Sequence, residues 1–184
     1  MAIIAKAKEL KSFQNPPVGN HQAVCCGVWD LGLQNIKWQE QEKTVHQVCI
    51  GWELEEINDS GKRFVVYRKY TLTLHEKGSL CKDLTSWRGR PFTEEEKDGF
   101  DVEVLIGVNC LLNIIHSQSG NKTFANIAGV SPLPKTMIRI KPENKPDAPA
   151  WVLKLQANAV NKNELEGHVD AAEVSEDEEE AVPF

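Results

Sequence analysis

Apolar and polar positions alternate most clearly between Thr44 and Leu54. There Val48, Ile50, Trp52 and Leu54 share one face, and Gln47, Cys49, Gly51 and Glu53 share the other. A period of two is the mark of a half-buried β-strand. Upstream, Ala23 to Leu33 is rich in small and β-favouring residues and holds two glycines, as a bent strand would. Asn58-Asp59-Ser60-Gly61 marks a turn. It leads into a third strand over Lys62–His75, with Phe64, Val66, Tyr70, Leu72 and Leu74 inward and Arg68 intruding. The opposite face carries Tyr67, Lys69, Thr71, Thr73 and His75.

The period then changes. Ser79 is placed to cap a short helix running to Ser86 or Trp87, and Thr93-Glu94-Glu95-Glu96 has the spacing of a capping box. That box predicts a helix with Phe100, Val104 and Leu105 on one face, ending at Gly107. Strand texture returns over Cys110–His116 and Lys122–Val130, around the turn Ser119-Gly120-Asn121. The predicted order is β-β-β-α-β-β, a mainly β fold. It is the order of a five-stranded OB barrel with a helical insertion between strands 3 and 4. Three parts are expected: an N-terminal arm over 1–20, the OB-type domain over 21–160, and a tail over 161–184. Five prolines between 131 and 163 make the end of the domain an extended connector, of which Trp151–Leu155 can dock on the barrel.

Charge changes the picture more than composition does. The 184 residues are 41% hydrophobic, enough for a core, and the net charge is -6. Nine acidic residues and no Lys or Arg lie from Glu164 onward, so the first 163 residues carry +3. A mildly basic body with an acidic, disordered tail is a different object from a uniformly acidic protein. No apolar run reaches the length of a membrane span, and Lys6 and Lys8 interrupt the apolar start where a secretory signal needs an unbroken core. Five cysteines without a Cys-x-x-Cys pair favour neither a disulfide framework nor a metal knuckle, and an intracellular, reduced setting is expected.

Catalytic patterns are missing from the sequence. The phosphate loop, the nucleophile elbow and paired metal-binding histidines do not occur, and no enzyme activity, metal or cofactor is expected. The stretch Arg63–Phe92 instead interleaves seven cations with five aromatics and holds only two acids, Glu76 and Asp83. Single-strand binding needs cations to track phosphates and aromatic faces for stacking. Candidates are Tyr67 and Lys69 on the outer face of the third strand, and Trp87, Arg88 and Arg90 in the segment Trp87–Phe92. Lys122 and Phe124 are candidate helpers. The alternative makes Trp87 and Phe92 core anchors, with the arginines pairing Asp83 and Glu94–Glu96, and Tyr67 and Lys69 an ordinary strand pair. Phe124 and Trp52 pattern as core, and Trp29 has no assigned face because the alternation breaks at Gly27 and Gly32.

The last residues, Glu176-Asp-Glu-Glu-Glu-Ala-Val-Pro-Phe184, place an apolar tip after a run of acids. This ending resembles that of bacterial-type single-stranded-DNA-binding proteins, in which an acidic stretch precedes an aliphatic residue, Pro and Phe. Pro183 and Phe184 match the dipeptide, Val182 stands where Ile is usual, Glu178, Glu179 and Glu180 match the acids, and Ala181 separates acids from tip. The Trp87-Arg-Gly-Arg-Pro-Phe-Thr93 stretch and Asn126-Ile-Ala128 are similar to bacteriophage-encoded proteins of OB type. The resemblance implies sequence-independent binding of single-stranded DNA in replication, recombination or repair. It also implies recruitment of partner proteins through the tip, in the cytoplasm of a bacterial host. A protein-only adaptor and a single-stranded RNA-binding module stay open as alternatives, as does a homo-oligomer.

Overall fold

A computed structural model describes residues 14–38, 41–143 and 147–160. Five strands appear in the expected order: β1 (Gly19–Trp38), β2 (Gln41–Ile57), β3 (Arg63–Thr71), β4 (Asn109–Ser119) and β5 (Lys122–Pro132). They form one antiparallel sheet in the order β3-β2-β1-β4-β5. The sheet is not closed into the expected barrel. Its edges β3 and β5 approach each other, and a side chain makes the link that a backbone ladder would: Arg68 Nη1 donates to the Ile127 carbonyl at 3.1 Å.

The inner face carries the main core. Val48, Ile50, Trp52 and Leu54 are buried there with Phe64, Val66 and Tyr70, as the alternation predicts. The third strand stops at Thr71, where Thr73 N–H turns back to the Thr71 carbonyl, so Leu72 and Leu74 pack on the core from a loop. Helix α1 (Ser79–Arg88) lays Leu80, Leu84 and Trp87 over this face. Its N-cap is Gly78 rather than Ser79, without a side-chain cap, and Gly89 ends it with φ +69°, a left-handed conformation that favours glycine.

The capping box forms: Thr93 Oγ1 accepts from the Glu96 N–H, and Glu96 Oε2 from the Thr93 N–H. The helix it opens, α2 (Glu94–Asp98), is shorter than the spacing predicts. Gly99 takes an extended conformation, and Val102–Leu105 forms a separate 3-10 turn capped by Asp101. Leu105 is buried there, whereas Val104 is exposed.

The connector after β5 is the largest departure. Residues 137–143 run along the outer face and are stitched to it by four side chains. Gln22 Nε2 donates to the Ile138 carbonyl (2.6 Å), and Asn109 both donates to and accepts from the Ile140 backbone (2.8 and 2.9 Å). Arg63 donates to the Lys141 carbonyl, and Glu53 Oε1 accepts from the Glu143 N–H and from Arg63. The chain then forms α3 (Ala150–Ala157), a helix where an extended segment was expected. Val152 is fully buried with Leu31 and Cys49, so the outer face gains a second, smaller core. Among the described residues no helix is long and apolar enough to cross a membrane.

Candidate nucleic-acid interface

The expected site residues fall into three groups. Trp87 lies in the core at 4% exposure, its indole 5.9 Å from that of Trp52 and its Nε1 donating to the Asn109 carbonyl at 3.0 Å. No ring face is left for a base, which corrects the expectation that Trp87 stacks on one. The physical reason is local: α1 extends through Arg88, so Trp87 sits on its buried face one turn beyond Leu84.

Arg88 and Arg90 are neutralised within their own segment. The Arg88 guanidinium lies 4.2 Å over the Phe92 ring and 5.5 Å from Phe100, and bonds Glu96. Arg90 reaches both oxygens of the same carboxylate, at 2.8 and 3.0 Å. Hydrogen bonds from Arg90, from the Thr93 backbone and from Arg88 hold the Glu96 carboxyl down at about 2. The two arginines close a knot around the start of α2 rather than offering a free pair of cations. On β5, Phe124 is buried and Lys122 is exposed at the hairpin turn, with three strands between it and β3 in the ladder.

Tyr67 and Lys69 do share the outer face of β3, and the sheet places them in two cross-strand rows. One row is Gly27, Gly51 and Tyr67; the next is Trp29, Cys49 and Lys69. The Trp29 indole lies over the glycine pair. A Cβ on Gly27 would stand 2.5 Å from it, and one on Gly51 2.8 Å. Glycine weakens a strand interior, and two facing each other mark a place where something approaches the backbone closely. Here that group is an aromatic ring.

Tyr67 stands beside this ring at 5.8 Å, and Trp151 of α3 meets the Tyr67 ring edge-on at 6.0 Å. All three rings are half-buried. Burial, with the thiols of Cys26 and Cys49 close by, pushes the Tyr67 phenol up to about 12. Lys69 is half-buried beside them, and among the described residues no carboxylate pairs with it. The five cysteines are free and buried, and burial raises the thiols of Cys25, Cys26, Cys49 and Cys110 far enough to keep them protonated at neutral pH.

Two of the three rings were not among the expected site residues. Trp29 was hidden by irregular register between Cys25 and Gly27 and again between Asp30 and Gly32. The signal that marks it is the Gly27–Gly51 pair, visible only once the strands are aligned. Trp151 was placed in a docking segment without a role. The tail residues Glu178, Glu179, Glu180, Val182, Pro183 and Phe184 lie outside the described residues. The chain matches no protein-family model and no curated protein.

Proposed function

We propose that the chain binds single-stranded DNA, largely independently of base identity, on the outer face of β1–β3. The observation that carries this reading is the adjacency of Lys69, without a carboxylate partner among the described residues, to the half-buried Tyr67 and Trp29. A cation beside aromatic rings is the chemistry a single strand requires: one partner for phosphate and π-faces for bases. Strand order supports an OB-type architecture, since joining the approaching edges β3 and β5 would close the five strands into such a barrel. In this reading the protein is a non-enzymatic binder of the bacteriophage-encoded kind its sequence resembles, and the 176–184 stretch recruits replication or recombination proteins.

The test is a titration with oligo-dT, followed by tryptophan emission at several salt concentrations. Quenching that is reversed by salt is expected, because neutralised phosphates release counterions. Lys69→Ala should weaken binding uniformly across sequences and reduce the log–log salt slope by about 1. Absence of quenching at low salt, or a Lys69→Ala variant with unchanged affinity and slope, overturns the reading.

A further inference from the structure

Helix α3 has one flank against β1 and the other toward β3. Gln156 Nε2 donates to the Asp30 carbonyl of β1 at 2.7 Å, and Trp151 meets Tyr67 of β3. Val152 and Leu155 face the sheet between them. With 3.6 residues per turn, Lys154 lies roughly 60° round the helix from Trp151, on the side away from Val152. It therefore lies on the Trp151 side of the helix but projects outward, toward solvent more than toward the sheet, and it is exposed.

The helix is also fixed in place. Besides the buried Val152, Gln34 Nε2 donates to the Leu155 carbonyl at 3.0 Å, and the Val160 N–H bonds the Leu33 carbonyl at 2.8 Å. The segment before it is stitched down by Gln22, Asn109, Arg63 and Glu53. A ring on a pinned helix thus meets a ring on a strand, and each carries a cation close by in sequence, Lys154 three residues after Trp151 and Lys69 two after Tyr67.

We infer that α3 is the second wall of the nucleic-acid site, with Trp151 stacking on a base and Lys154 contacting a phosphate of the strand held by Tyr67 and Lys69. This inference rests on the binding reading above and adds two contact residues that the sheet does not supply. Charge favours a nucleic acid over an acidic or apolar peptide here, because the two cations alternate with aromatic faces instead of clustering.

The experiment uses the full chain and oligo-dT. Lys154→Ala, at an exposed position, should lower affinity several-fold and reduce the salt slope by about 1. Trp151→Ala should lower affinity roughly 5- to 100-fold, the value of one stacked base, and Trp151→Phe should restore part of it. Thermal melts of each variant separate loss of contact from loss of fold.

A rise in affinity for Trp151→Ala would make α3 a lid over Tyr67, and overturns the inference. So does an unchanged salt slope for Lys154→Ala, or a Trp151→Phe variant no better than Trp151→Ala. If wild type and Lys69→Ala behave as expected while the α3 variants are silent, only the second wall fails. If wild type does not bind oligo-dT, the binding reading itself fails and takes the wall with it.

Discussion

Arg68 Nη1 lies 2.8 Å from Asp83 Oδ2 and joins β3 to α1 at the open seam of the sheet. The same carboxylate oxygen accepts from the Tyr70 hydroxyl at 2.7 Å, and the guanidinium stacks 5.2 Å over the Tyr70 ring. An arginine on the inward face of a strand is tolerated because each of these groups is satisfied by another. Removing one partner leaves a largely buried charge without its counterion. Asp83→Ala is expected to cost on the order of 3 kcal/mol in urea unfolding. The exposed pair Arg90–Glu96 differs: solvent screens it, so Arg90→Ala should move the urea midpoint far less than Asp83→Ala does. Equal losses for the two variants would contradict the burial argument.

Trp87 belongs to the core, so its removal acts on stability. Trp87→Ala should cost about 3–5 kcal/mol. Part of that loss comes from leaving the Asn109 carbonyl without its indole donor. Oligo-dT affinity of the folded fraction should stay at the wild-type value. A stable variant with weakened binding would return Trp87 to the site.

The Gly27–Gly51 pair predicts a non-additive response. Gly27→Ala forces its new methyl into the Trp29 ring, and overpacking of this kind costs about 1–3 kcal/mol. In a Trp29→Ala background the methyl no longer meets the ring, and most of that cost should vanish, as a double-mutant cycle would measure. An additive pair would mean that the ring does not rest on the glycines.

Glu96 predicts a pH dependence. Its carboxyl falls from the ordinary 4.5 to about 2 in the folded protein. The unfolded chain therefore binds the proton first, and stability contributed by Glu96 is present above about pH 4.5 and is lost as pH falls toward 2. Urea midpoints measured across this window should fall less steeply for Glu96→Gln than for wild type. Parallel curves would place the acid sensitivity elsewhere.

What the sequence makes legible follows from how local the cause is. The alternation from Val48 to Leu54 is visible because one face of β2 meets the core at every second residue. The capping box at Thr93 is visible because its two bonds span three residues. Composition makes Trp87, Arg88 and Arg90 site candidates because it counts rings and cations without their packing; the structure takes the alternative, a core Trp87 and arginines paired with Glu96, six residues beyond Arg90 and eight beyond Arg88. The sequence predicts an extended segment at α3 because five prolines, the last of them Pro149, lead into it. Only docking on Leu31 and Cys49, more than a hundred residues earlier, fixes it as a helix. Barrel closure is a property of the whole sheet, and strand order alone does not determine it.

The stitching of residues 137–143 sets an order for folding during synthesis. Gln22 waits 116 residues for the Ile138 carbonyl, and Glu53 waits 90 for the Glu143 N–H. Until that segment has left the ribosome, the outer face of β1 and β2 holds polar side chains that are buried in the finished protein but still bonded to water. The inner core, complete once β5 is made, can assemble first. The outer face is complete only when α3 arrives, so a nascent chain can finish its inner core before its outer face.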